Sequence, residues 1–187
     1  MNEKKSARDV LTKIFKDPDM QYGLSVFEGI NFDEVLDFSE KEGKYFLKCL
    51  KREREILAKP EEIVRQLMIY KLINFYQYPL NRIDVEVDVQ FGRDIGSKRA
   101  DIVVYREDGK AEYLIVEVKK PDVKDGLGQL KSYANATGAP ILVLTDGKVQ
   151  NNLFRTEPNL FEDLPEIPRL NETIEDVRSK KLIYLDL

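Results

Sequence analysis

The chain has no histidine, no tryptophan and one cysteine among its 187 residues. Without histidine there is no Ser-His-Asp triad, no Cys-His pair and no imidazole-bound zinc. With Cys49 alone, neither an internal disulfide nor a cysteine-rich metal site can form, and a reduced thiol in a cytoplasmic protein is expected. No apolar run approaches the ~18–20 residues of a membrane span. No secretory signal pattern is present. Runs of basic residues are missing as well. The formal net charge is −4, from 30 Lys and Arg against 34 Asp and Glu, which argues against a protein that coats nucleic acid by charge alone. A nucleic-acid enzyme remains open, because active-site carboxylates draw the balance negative while a few local lysines still meet phosphate.

What is present fits one domain, or one domain with a small appendage. Hydrophobic residues make up 42% of the chain, enough for a sizeable core. Residues 1–43 read as a helical or mixed N-terminal extension, with a short amphipathic helix from Ala7 to Phe15. Lys44–Cys49 and Arg54–Ala58 read as short strands. Pro60 then opens a helix over Glu61–Phe75, with proline in its first turn and two acids where the helix dipole favours them. Ile63, Val64, Leu67, Met68 and Ile69 mark its buried face. Ile83 to Val89 alternates apolar with acidic residues, as a half-buried strand does. Ala100–Tyr105 and Tyr113–Lys119 are two more strands, and Pro121 ends the second of them. A helix follows over Val123–Ala136, then a buried strand at Ile141–Leu144 and a short strand at Asn152–Arg155. The prolines after Glu157 suggest an extended arm or linker over 157–187. The order helix, three strands, helix, strand predicts an α/β domain over 44–156, a mixed sheet flanked by helices.

The chemistry concentrates between Arg99 and Tyr133. Side chains alternate along a strand, so Glu117, Lys119 and Ile115 share one face, while Leu114, Val116 and Val118 point into the core. A three-residue loop 107–109 with left-handed Gly109 would pair Arg106 with Lys110 and set Asp101 opposite Ile115. Asp101 and Glu117 would then be diagonal neighbours, roughly 7–8 Å apart at their backbones. A two-residue turn would send Asp101 to the wrong face, so this geometry requires an odd loop or a bulge. Two carboxylates this close repel unless a cation lies between them. Oxygen donors without imidazole suit Mg²⁺ or Mn²⁺. Such an ion polarises a phosphodiester and acidifies bound water, and Lys119 beside it can orient that water or stabilise charge growing on phosphorus. Gln129 and Tyr133 are four apart on a helix, hence on one face, and can reach the same site. Alternatively Tyr133 packs in the core beside Leu130 and Ala134.

Together these residues resemble the PD-(D/E)xK nuclease superfamily, a restriction-endonuclease-like core with Asp101 as first acid and Glu117-Val118-Lys119 as second motif. More narrowly, Arg99-Ala100-Asp101-Ile102-Val103-Val104, Glu117-Val118-Lys119-Lys120-Pro121, Gln129-Leu130-Lys131-Ser132-Tyr133 and the helix start Lys59-Pro60-Glu61-Glu62-Ile63-Val64-Arg65-Gln66 resemble the N-terminal nuclease domain of type I restriction endonuclease R subunits. The resemblance covers about residues 45–155. It implies Mg²⁺-dependent cleavage of double-stranded DNA in a restriction-modification system, with methyltransferase and specificity subunits as partners. It implies metal binding by Asp101, Glu117 and the Val118 carbonyl, and catalysis by Lys119. Glu61 would be the accessory acid, with Glu62 as rival, and Gln129, Tyr133 and Lys120 would engage DNA. Ala100 stands where the superfamily has proline. No Gly-x-x-x-x-Gly-Lys-Ser/Thr phosphate loop occurs, so no ATP site lies in this chain. A translocase module is then expected elsewhere if the chain is cut from a longer protein. Two other readings fit: a non-catalytic docking module of a restriction-modification complex, or a repair or junction nuclease of the same superfamily.

Overall fold

The computed structural model describes residues 6–17, 23–90, 98–120 and 126–185, with side chains up to Ser179. It holds two sheets. The smaller is antiparallel, β1 (Phe38–Lys41), β2 (Lys44–Lys48) and β3 (Glu55–Leu57), preceded by α1 (Ala7–Phe15) and the single turn α2 (Phe32–Val35). The larger has six strands in chain order: β4 (Ile83–Asp88), β5 (Arg99–Tyr105), β6 (Glu112–Val118), β7 (Ile141–Thr145), β8 (Gln150–Glu157) and β9 (Leu160–Leu164). Every pairing is antiparallel except β6–β7, which are joined by α4 (Leu127–Thr137). A parallel neighbour needs such a crossover, so the mixed sheet expected from the chain order is present. α3 (Pro60–Asn74) lies against the other face, and α5 (Ile174–Leu185) closes the described chain.

The sheet is buried on both sides. Ile102, Val104, Leu114, Val116, Val118, Ile141 and Val143 pack beneath α3 with Ile63, Val64, Leu67 and Met68. Val103, Ile115 and Leu142 pack beneath α4 with Leu130, Tyr133 and Ala134. α3 is buried almost all round, including the polar Arg65 and Gln66.

Three expectations change. First, the register between β5 and β6 differs by two residues: Ile115 lies opposite Val103, not Asp101. The loop is Glu107–Lys110, closed by Arg106 N–H to the Ala111 carbonyl at 2.8 Å, with Gly109 at φ +67°. An even loop alone would put Asp101 on the wrong face. A bulge corrects it, because Tyr105 pairs with Glu112 but Val104 with Leu114, leaving Tyr113 as the extra residue. One step beyond Ile102↔Val116, the last pair of this ladder, come Asp101 and Glu117. Second, the segment after Glu157 is no extended arm. β9 pairs with β8, and Leu164, Ile167 and Val177 are buried in the α3-side core. Burying each such side chain contributes roughly 1.5–3 kcal/mol, and prolines at strand ends and loops do not prevent it. The strand expected last, at Asn152–Arg155, runs from Gln150 to Glu157 and is followed by β9. Third, the acidic and apolar alternation of Ile83–Val89 does not stay on one face. Ile83 and Val85 join the α3-side core, whereas Val87 and Val89 join the α4-side core. The switch occurs at Glu86, whose φ is +50°. Pro121, read as the strand stop, and Val123–Asp125, read as the first helix residues, lie outside the described residues.

Candidate active site

The site forms where β4, β5 and β6 lose regular pairing. Val85↔Ile102 and Val87↔Ala100 pair across β4–β5, and between them Glu86 and Asp101 are left out of the ladder. Glu86 on β4, Asp101 on β5 and Glu117 on β6 thus gather at the end of the regular pairing on three adjacent strands. The Asp101 side chain takes over a ladder position, accepting from the Val118 N–H through Oδ2 at 2.7 Å. Its other oxygen accepts from Arg65. The first acid is therefore held by the strand that carries the second.

Glu117 is 3% exposed. The face that Glu117 shares with Ile115 is therefore buried as well as the face of Leu114, Val116 and Val118. Ile115, on the same face, lies in the core beneath α4, which covers this end of β6. Glu117 Oε1 accepts from Lys119 Nζ at 2.7 Å, while Oε2 is buried without a hydrogen-bond partner. Burial, then the neighbouring Asp101 charge, pushes the Glu117 pKa up to about 7 against the pull of Lys119 and Arg65. Lys119 is held from both sides. Its N–H donates to the Thr145 carbonyl at 2.9 Å. Its stem lies over Gly126 at the start of α4, where a Cβ would stand 2.5 Å from Lys119 Cε. Only glycine admits that approach.

Glu61 and Glu62 take different places. Glu61 Oε1 lies 3.9 Å from Lys120 Nζ at the exposed rim. Glu62 turns inward and accepts from Arg65 and, at 2.7 Å, from Gln66. Gln129 donates to the Tyr133 hydroxyl, which donates to the Arg99 carbonyl at 3.2 Å. Gln129 is thus braced by Tyr133, the residue four positions on that shares its helix face. The Tyr133 ring is fully buried beside Leu130 and Ala134, and burial raises its pKa, with Glu117 and Asp101 close enough to add to the effect. It packs as core and ties α4 to β5 next to the first acid.

The sequence reading missed Arg65, Glu86 and Arg52. Arg65 is 8% exposed and meets Glu62, Glu86 at 3.4 Å and Asp101. Burial works against its charge, but Asp101, Glu62 and Glu86 outweigh it and its pKa is raised. Arg52, in the loop between β2 and β3, bonds Glu86 and draws that carboxyl's pKa down. The available signal was a charged residue, Arg65, between Val64 and Gln66 in a helix otherwise read as core.

The donor set suits a hard cation. Two adjacent carboxylates and the Val118 carbonyl are oxygen donors, and the orphaned Glu117 Oε2 is a buried acceptor awaiting a partner. Among the described residues no three Asp, Glu or Cys side chains converge to hold a metal, because Arg65 stands between Glu86 and Asp101. Also among them, no helix is long and apolar enough to cross a membrane.

No curated protein matches the chain. Residues 60–168, more than half of it and spanning α3 to the end of β9, match the type I restriction enzyme R protein N terminus (HSDR_N), and the chain belongs to that family.

Proposed function

We propose that this is a Mg²⁺-dependent endonuclease domain of a restriction-modification system, hydrolysing phosphodiester bonds of double-stranded DNA. The observation that carries the reading is the nearness of Asp101 and Glu117 just beyond the last β5–β6 pair, with Asp101 on the Val118 N–H, Lys119 on Glu117 and the second Glu117 oxygen buried and unpaired. This set is that of a PD-(D/E)xK site. Asp101, Glu117 and the Val118 carbonyl would hold Mg²⁺ or Mn²⁺. When bound, such an ion polarises the scissile phosphodiester and lowers the pKa of its water. Lys119, kept in place by Gly126 and Glu117, would position the attacking water and meet the charge growing on phosphorus. Glu61 is the accessory acid in this reading, since Glu62 is committed to Arg65 and Gln66. Lys120, beside Glu61 at the rim, would contact the DNA backbone, and Gln129 and Tyr133 would support the site from α4. The partners would be duplex DNA, methyltransferase and specificity subunits or modules, and, if the chain is part of a longer protein, a translocase module, all in the cytoplasm.

A second reading, a non-catalytic docking module, is favoured by one feature. Each site acid already carries a cation of this chain, Asp101 with Arg65 and Glu117 with Lys119. Incubating the complete protein in its restriction-modification assembly with plasmid, linear duplex and branched DNA, in Mg²⁺, Mn²⁺ or EDTA, tests both. Duplex cleavage that EDTA stops supports the endonuclease. Preference for branched DNA would point to a repair or junction nuclease of the same superfamily. Intact DNA under all conditions leaves the docking module.

A further inference from the structure

Arg65 is a buried cation contacted by carboxylates from three elements. Glu62 comes from its own helix, Glu86 from β4 and Asp101 from β5. Burying a guanidinium costs free energy that its partners must offset, and Arg65 Nε has no hydrogen-bond partner at all. Replacing a buried ionic network by apolar side chains of similar volume is often neutral or stabilising, so packing alone does not account for this one. Glu86 has an unusual backbone as well. It is a non-glycine residue at φ +50° within a strand, a conformation that persists only where surrounding contacts hold it. Those contacts are Arg65 and Arg52, and the turn at Glu86 brings its carboxylate to both. Arg52 also donates to the Val85 carbonyl at 3.4 Å. It lies outside the segment that matches the family, so the small sheet supplies this anchor.

We propose that Arg65 is a positioning residue of the site: pinned by Glu62 and by Glu86, which Arg52 anchors, it holds the Asp101 carboxylate in the pose from which Asp101 receives a divalent cation. The inference rests on the nuclease reading above. The planar fork is what the task requires, because it serves several carboxylates in fixed directions, whereas a lysine ammonium on a flexible stem does not. Glu86 limits how fully Arg65 is given over to Asp101. Without it, Arg65 would bind Asp101 more completely and compete with an incoming cation. Loss of the fork and loss of Glu86 therefore both weaken the site, one through geometry and the other through competition.

The test is Mn²⁺ binding to the full chain by titration calorimetry, with melting temperature measured alongside, for wild type, Arg65→Lys and Glu86→Gln. Arg65→Lys keeps the charge and removes the fork. Wild type is expected to bind Mn²⁺, and both variants to bind it roughly tenfold or more weakly, the usual cost of losing a group that orients a metal ligand, while still melting cooperatively. Variants that bind Mn²⁺ like wild type overturn the proposal even if their melting temperatures fall, since a purely structural lock would lose stability alone. If Arg65→Lys does not fold, Glu86→Gln and Arg52→Gln, altering partly exposed side chains, decide the matter by the same comparison. Absence of Mn²⁺ binding by folded wild type removes the nuclease reading, and this proposal with it.

Discussion

Glu117→Gln should stabilise the metal-free protein at alkaline pH. Glutamine has nearly the same shape and no charge, and Glu117 is almost wholly buried with one oxygen unpaired. Its folded-state pKa is raised from 4.5 to about 7. Between those values the folded state binds more protons than the unfolded one, so stability falls as pH rises through that window. The full difference corresponds to on the order of 3 kcal/mol. Lys119 and Arg65 already offset part of the cost of burying this charge. Below about pH 4.5 the penalty is absent, and above about pH 7 it is complete. Urea unfolding in EDTA at pH 5 and pH 8.5 reads it directly. The wild type should fall behind Glu117→Gln by on the order of 3 kcal/mol more at pH 8.5 than at pH 5. In melting temperature that is roughly 6–12 °C for a chain of this size. Parallel stability curves for the two proteins across this range would show that Glu117 does not carry a buried charge, and the electrostatic account of the site would fail.

Lys119→Ala should abolish Mg²⁺-dependent cleavage in the full assembly and leave the melting temperature within a few degrees; cleavage at the wild-type rate refutes its role. Gly126→Ala places a Cβ 2.5 Å from Lys119 Cε, so cleavage should fall at least roughly tenfold, and unchanged cleavage means the Lys119 pose is immaterial. Tyr133→Phe removes the hydroxyl that joins Gln129 to the Arg99 carbonyl. A stability loss of about 1 kcal/mol with slower cleavage is expected, and no change in either quantity makes the hydroxyl dispensable. Ile167→Ala should cost about 2–5 kcal/mol in urea unfolding because Ile167 is fully buried; a loss within experimental error would mean the segment after Glu157 is no part of the core.

Much of the site was legible because its signals are local. Strand alternation alone put Glu117 and Lys119 on one face and Leu114, Val116 and Val118 on the other. Helical spacing alone joined Gln129 to Tyr133. Pro60 and the acids after it marked the start of α3, and the order of elements implied a mixed sheet with a crossover between β6 and β7. Absent histidine and a lone cysteine had already removed whole classes of chemistry.

What the sequence could not settle depends on contacts between distant segments. The register of β5 on β6 turned on a bulge at Tyr113, and a bulge is chosen by how two whole strands fit, not by its own residues. The segment after Glu157 looked like an arm because prolines are local punctuation, whereas the apolar surface of β8 and α3 that receives it is tertiary. Glu86 read as one more acid on a solvated strand face, and Arg65 as one polar residue in a core helix. Only folding sets them, with Arg52, around Asp101. The residue types that allow the chemistry were therefore fixed along the chain. The charge balance that tunes them was decided in three dimensions, because a buried ion's energy depends on which opposite charges packing brings within a few ångströms.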